Sequence, residues 1–136
     1  MNVAQPDRPL TGPDKPAFLR AMRHFVGSVS VITVGQGDDL SGLVVTSAIS
    51  LSADPPLVLV CVNRTSSSWP LLGRYGFFGV NALAAHHQPV AERFSGFGGV
   101  KGAARYEGAD WVTETTGAQL LADAPVALDC TVEEMI

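Results

Sequence analysis

Residues 42–56 read GLVVTSAISLSADPP, an apolar strand pattern that runs into hydroxyl side chains and is closed by Asp54-Pro55-Pro56. Thr46, Ser47, Ser50 and Ser52 place four hydroxyls within seven residues. Two readings fit this stretch. One is an edge strand with a solvated face that ends in a turn, since Thr suits strands and Ser, Asp and Pro suit turns. The other is a cradle of backbone amides and hydroxyls for a flat, phosphorylated cofactor. Spacing alone does not choose between them, so the choice falls to the rest of the chain.

Upstream, residues 28–34 (SVSVITV) alternate small polar with branched apolar side chains, GQGDD turns the chain, and Leu40–Ser47 returns as a second strand. The pair reads as a hairpin. Downstream, Leu57–Asn63 (LVLVCVN) is continuously apolar and is expected to be a strand buried on both faces. Phe77–Leu83 (FFGVNAL), Trp111–Thr115 and Val126–Ile136 supply further strands.

The helices are short. Asp14 caps the first, with Pro16 in its first turn where the missing N–H costs nothing. Phe18, Leu19, Met22, Phe25 and Val26 recur at helical spacing and are expected to face a core, and the helix ends near Gly27. Ser66, Ser67 or Ser68 caps a second helix with Pro70 near its start and Leu71-Leu72 inward. Gln88–Ser95 (QPVAERFS) is a third, burying Val90, Ala91 and Phe94. The following GFGGVKGAA holds four glycines in nine residues, which predicts a mobile loop and a lid over a ligand rather than a packed element. Residues 1–13 carry three prolines and no periodicity, so they read as a flexible leader to a single domain over residues 14–136. Strands that succeed one another without long crossover helices favour an antiparallel barrel over a doubly wound parallel sheet.

With 136 residues, 46% of them apolar and 16% charged, the chain can bury a core without disulfides or metal. No apolar run approaches the roughly 20 residues a membrane helix needs, and the N-terminal residues do not read as a secretory leader. Cys61 and Cys130 each sit in a strand-like apolar run and are expected to be reduced core thiols, which suits a cytoplasmic protein. A net charge of −4 with no run of Lys or Arg argues against nucleic acid or a membrane surface as partner.

Hydrolytic chemistry finds no support, for there is no G-x-S-x-G, H-E-x-x-H or C-x-x-C. Adjacent His86 and His87 are expected to point apart and make a poor metal pair. His24 suits a helix C-terminus, and Glu133-Glu134 a solvated strand end. Hydride transfer between nicotinamide and flavin needs none of these groups, because the cofactors carry the chemistry while the protein binds and orients them.

GLVVTSAISLSADPPLVLVCVNRTSSSWPLL together with FGVNALAAHHQPVAERFSG resembles the flavin reductase-like family of split-barrel FMN/FAD-binding proteins, the reductase components of two-component monooxygenases. The motifs occur in the family's order over about residues 17–136. The resemblance implies a mainly β fold with short helices, an antiparallel Greek-key split β-barrel. It implies NAD(P)H-dependent reduction of FMN or FAD, with NADH or NADPH as co-substrate, by a homodimer that supplies reduced flavin to an oxygenase. A flavin-binding protein without that reductase activity, an electron carrier or a flavoenzyme on another substrate, is the alternative. The dimer is expected to meet through the first helix and strand surfaces.

By the same resemblance Val45, Thr46, Ser47 and Ala48 run along the flavin ring and ribityl chain, and Ser50 approaches the ribityl or phosphate end. Asn63, Ser66 and Ser67 hold the phosphate region, and Arg93 and Phe94 close over the cofactor. Arg64 is either a further cation or a surface residue. This chain has Val44 where the family has Thr, and Ala48-Ile49 where it has an aromatic followed by Thr. In the family a strand like ALDCTVEEMI continues into a Gly-Asp-His segment and a closing strand. The expectation is therefore a domain lacking that closing segment, whose last strand has an unpaired edge to be covered by further chain or by a partner.

Overall fold

A computed structural model describes residues 14–25 and 27–136. The expected leader over residues 1–13, and Val26, lie outside the described residues. Helix α1 (Lys15–Met22) is followed by the hairpin β1 (Ser30–Gln36) and β2 (Asp39–Val45), then by β3 (Ile49–Ala53) and β4 (Pro56–Leu59). Helix α2 (Trp69–Tyr75), β5 (Phe77–Ala82) and α3 (Gln88–Phe94) come next, and the short strands β6 (Trp111–Val112) and β7 (Leu120–Leu121) precede β8 (Val126–Thr131).

Four strands form an antiparallel sheet in the order β2-β1-β5-β8. Strand β1 is central, with Ile32 opposite Leu43 on one side and Val80 on the other. Because alternate residues of a strand point to opposite faces, β1 feeds two cores. Ile32 and Val34 join Val45, Leu71, Leu72 and Val80 on the face covered by α2. Val31 joins Val90, Phe94 and Tyr106 on the face covered by α3. Two buried polar side chains lock the chain around β7 onto this sheet: Thr33 Oγ1 donates to the Gln119 carbonyl at 2.6 Å, and Asn81 Oδ1 accepts the Leu121 N–H at 2.8 Å.

All three helices carry proline in their first two positions, as expected, and Asp14 caps α1 by accepting the Ala17 N–H. The apolar face of α1 does not enter a core: Phe18, Leu19, Met22 and Phe25 are all exposed. Helical spacing makes that face apolar, but no element of the described chain covers it. The continuous apolar run after Pro56 does not make a strand buried on both faces. Strand β4 pairs only with β3, in a separate two-stranded sheet with a bulge between Ser50 and Ser52, and Leu57–Val60 are half-buried. Val58, Val60 and Val62 pack against the α2-side core, so a single covered face accounts for the pattern. The Asp54-Pro55 turn closing this hairpin contains a cis peptide bond.

Cys61, expected in the core, is exposed because the chain has left the ladder by that point, and Cys130 is half-buried. Both are free thiols, and burial together with the neighbouring Asp129 pushes the Cys130 thiol up. The late strands are shorter than the sequence suggests, ending at Val112 and Thr131. Asp129 accepts from the backbone N–H groups of Thr115 and Thr116 and from the Thr116 hydroxyl, folding residues beyond Val112 into a turn. The glycine-rich stretch over residues 96–104 is largely exposed, with Phe97 at 74%, but it is not without regular structure. It forms two 3-10 turns, Phe97–Gly99 and Gly102–Tyr106, and the second lies against β2.

Candidate functional site

Strand β2 ends at the buried Val45, and Thr46–Ala48 lie outside both strand ladders. The Ser47 hydroxyl replaces a ladder rung: it accepts the Cys61 N–H at 3.2 Å and donates to the Cys61 carbonyl at 3.4 Å. Thr46 is exposed beside it, Ala48 packs on the α2-side core, and Ser50 is exposed on β3. Val44 packs against the α3-side core.

The segment after Cys61 folds on itself through short side chains. Asn63 Oδ1 accepts from the N–H and the hydroxyl of Thr65, at 3.0 and 2.9 Å, and the Ser66 hydroxyl accepts the Ser68 N–H at 3.2 Å. Such self-bonding suits Asn and Ser to tight turns. Arg64 lies over the Trp69 ring at 5.7 Å from its centroid, a cation–π contact that holds it to α2. Ser67 then reaches back to β2, where its hydroxyl meets that of Ser41 at 2.8 Å. Residues 41–47 and 61–67 thus run side by side in opposite directions, tied at one end by Ser47–Cys61 and at the other by Ser41–Ser67. These ties put Ser47 beside Cys61 and Ser67 beside Ser41, while the side-chain hydrogen bonds of Asn63 and Ser66 among the described residues stay within their own turn.

Arg93 and Phe94 belong to the other face. Phe94 is fully buried, with its ring 4.9 Å from Tyr106 and 5.5 Å from Trp111. Arg93 Nη2 donates to the Ala104 carbonyl at 2.6 Å and to Glu107 at 3.1 Å, fastening the second 3-10 turn to α3. No hydrogen bond among the described residues joins either to the 41–47 and 61–67 segments. Phe94 packs directly on β2 at Gly42, and the turn that Arg93 fastens is tied to the same strand, Arg105 donating to the Gly42 carbonyl and Tyr106 to that of Ser41.

Where this turn meets β2 and Ser67, a cavity of about 360 Å³ opens, lined among others by Asp39, Ser41, Ser67, Lys101 and Arg105. Asp39 is held by the Tyr75 hydroxyl at 2.9 Å and Arg74 at 2.6 Å, which lower its carboxyl, and its hydrogen bond in turn raises the Tyr75 phenol. Lys101 is exposed and has no ion pair among the described residues. Hydroxyls and a free ammonium together suit an anion such as a phosphate. Ser41, Lys101 and Arg105 were missed by the sequence reading. Ser41 reads there as an ordinary polar strand position, Lys101 sits in the stretch expected to be a mobile loop, and Arg105 follows directly after it.

A second cavity, about 300 Å³, is lined by His86, His87, Asp110 and Asp123 among others. The two histidines do not point apart: the 3-10 turn Ala85–His87 brings their ring centroids to 4.0 Å, and both Nε2 atoms reach Asp123 at 2.9 Å. The backbone N–H of Ala84 donates to His87 Nδ1 at 2.9 Å, so the neutral His87 ring carries its proton on Nε2 and gives it to Asp123. A nitrogen holding that proton has no lone pair for a metal. The hydrogen bonds from His86 and His87 bring the Asp123 carboxyl down to about 2.

Among known proteins, the chain is 40% identical over 114 residues to an FMN reductase (NADH), RutF 2, of Methylorubrum extorquens, covering 84% of this chain and spanning 65% of that relative's length. The NADH:FAD oxidoreductase SgcE6 of Streptomyces globisporus, solved with NAD and FAD fragments, superposes with a TM-score of 0.79 at 30% identity, over 93% of this chain and 75% of that one. BorF, the flavin reductase component of a bacterial two-component tryptophan halogenase, gives a TM-score of 0.76 at 32% identity, over 87% of this chain and 74% of that one. Residues 22–136 match the flavin reductase like domain, and with the antiparallel sheet and the hydroxyl-lined segments in place the chain belongs to that family.

Proposed function

We propose that this chain uses NADH to reduce FMN or FAD and supplies the reduced flavin to an oxygenase component. The observation that carries this reading is the pairing of residues 41–47 with 61–67, tied at both ends by serine hydroxyls and flanked by the cavity of Ser67, Lys101 and Arg105. Four strand residues span about 13 Å, so Val45 and Ser41 stand apart on β2 much as a flavin ring and its phosphate do. The Thr46–Ala48 backbone, outside both ladders, offers N–H groups to the ring's polar edge. Ser50, Asn63 and Ser66 flank the ribityl chain, and Ser67 and Lys101 meet the phosphate. Arg93 and Phe94 serve from behind, holding the 3-10 turn in place.

Bound flavin supplies the two-electron acceptor; the chain's own residues bind and orient it. The named activities of the M. extorquens relative, of SgcE6 and of BorF support the assignment. In the active protein the sheet closes into a split barrel within a homodimer, which would cover the exposed apolar face of α1. The test is anaerobic mixing of purified protein with nicotinamide and flavin. Bleaching of FMN or FAD by NADH is expected, and failure with both flavins and both nicotinamides would overturn the reading. Bound flavin that stays oxidised would make the chain a flavin-binding protein without reductase activity.

A further inference from the structure

Ser68 is fully buried, and the sole hydrogen-bond partner of its hydroxyl among the described residues is the Ser41 hydroxyl, at 3.1 Å. Were Ser68 to accept from Ser41, its own proton would be buried without an acceptor, a costly arrangement. Ser68 therefore donates to Ser41. Ser41 is buried as well, and its one remaining hydroxyl partner is Ser67, so its proton goes to Ser67 Oγ at 2.8 Å. Ser67 accepts at that end and is exposed at the other. Its own proton is then free to donate into the cavity of about 360 Å³ that it lines with Lys101.

We infer that Ser68, Ser41 and Ser67 form a one-way hydroxyl relay, with Ser41 as the positioning residue, that aims the Ser67 proton at a phosphate group in this cavity. Each hydroxyl in such a chain polarises the next, so the terminal O–H is a better donor than an isolated serine. Burial fixes the direction, which leaves the Ser67 proton for an acceptor such as an anionic oxygen. Asp39 also lines the cavity, but its carboxylate is engaged by Arg74 and Tyr75. The inference rests on the flavin-phosphate reading above, with the phosphate of FMN as the group recognised.

The test compares the affinities of FMN and of riboflavin, which lacks the phosphate, for the wild-type chain, S41A, S67A and S41A/S67A, read by flavin fluorescence. Loss of one such hydrogen bond is expected to weaken FMN on the order of fivefold to tenfold in S67A, with a smaller fall in S41A, which keeps the Ser67 proton but not what aims it, and with riboflavin unaffected. The double variant should bind FMN no more weakly than S67A. Equal weakening of riboflavin, or an S41A effect that persists undiminished without Ser67, would overturn the relay. Full FMN affinity in S41A alongside a loss in S67A would overturn the relay while leaving the phosphate reading intact. Full affinity in S67A would overturn both. Should S41A fail to fold, S41C takes its place, since a thiol is only a weak donor, and it too should weaken FMN but not riboflavin.

Discussion

The Tyr106 hydroxyl donates to the carbonyl oxygen of Ser41, a residue 65 positions earlier whose own hydroxyl faces Ser67. One strand residue thus joins the second 3-10 turn on one side to the serine segment on the other. Burial pushes the Tyr106 phenol well above its ordinary value, so it remains a donor across the working pH range. Tyr106→Phe removes this buried hydrogen bond and is expected to cost about 0.5–1.5 kcal/mol in urea unfolding. FMN affinity should fall with it, because the turn also carries Lys101.

Gly42 sits where β2 crosses Phe94. A Cβ there would meet the Phe94 ring and lie 2.7 Å from the Ile32 carbonyl oxygen, neither of which can withdraw inside a filled core. Gly42→Ala is expected to destabilise by about 1–3 kcal/mol through overpacking, checked by thermal unfolding. Gly37→Ala, at the tip of the β1–β2 turn, meets no atom and tests a different quantity, the strain of its φ of 62°.

Ser47 is the hydroxyl that stands in for a strand rung. Ser47→Ala removes both bonds to Cys61 and releases the Thr46–Ala48 bend from its neighbour. The expected loss of stability is about 0.5–1.5 kcal/mol, the ordinary net worth of a hydrogen bond. Riboflavin and FMN should weaken alike, since the proposed pose puts the ring at this end. Titration of both ligands distinguishes this pattern from the phosphate-selective loss expected at Ser67.

Asp123 links the His86–His87 turn to the β7–β8 connection, and its carboxyl lies at about 2 against an ordinary 3.8. A carboxyl depressed by folding stabilises above its unfolded value and loses that contribution as pH falls toward its folded value. The window is therefore about pH 4 down to about 2, with no change from this group nearer neutrality. Asp123→Asn should be less stable at pH 7 and should lack that part of the acid loss, as urea midpoints at pH 7, 4 and 2.5 would show.

Much of the fold is legible in local pattern. The two-residue alternation before Gly35 marks β1, and β1 does pair with β2 as a hairpin. Pro16, Pro70 and Pro89 mark helix starts because a first turn does not use the missing N–H. The linked motifs identify the family, and the hydroxyl-rich run from Thr46 marks the region of the proposed site. The same reasoning fails at α1, where an apolar face was expected to enter a core and is exposed, and at His86-His87, where adjacency alone suggested divergence.

What the sequence determined by itself is which residues alternate, where the chain turns, and which stretch is rich in hydroxyls, since these follow from preferences within a few bonds of backbone. What only the tertiary structure decided is what each face meets. Ser41 comes to Ser67 across 26 residues, Arg105 to Gly42 across 63, and His87 to Asp123 across 36. Periodicity records that a face is apolar or polar. Only the packing of distant segments says whether a core covers it, which hydroxyl must donate there, and whether a cation is spent or free.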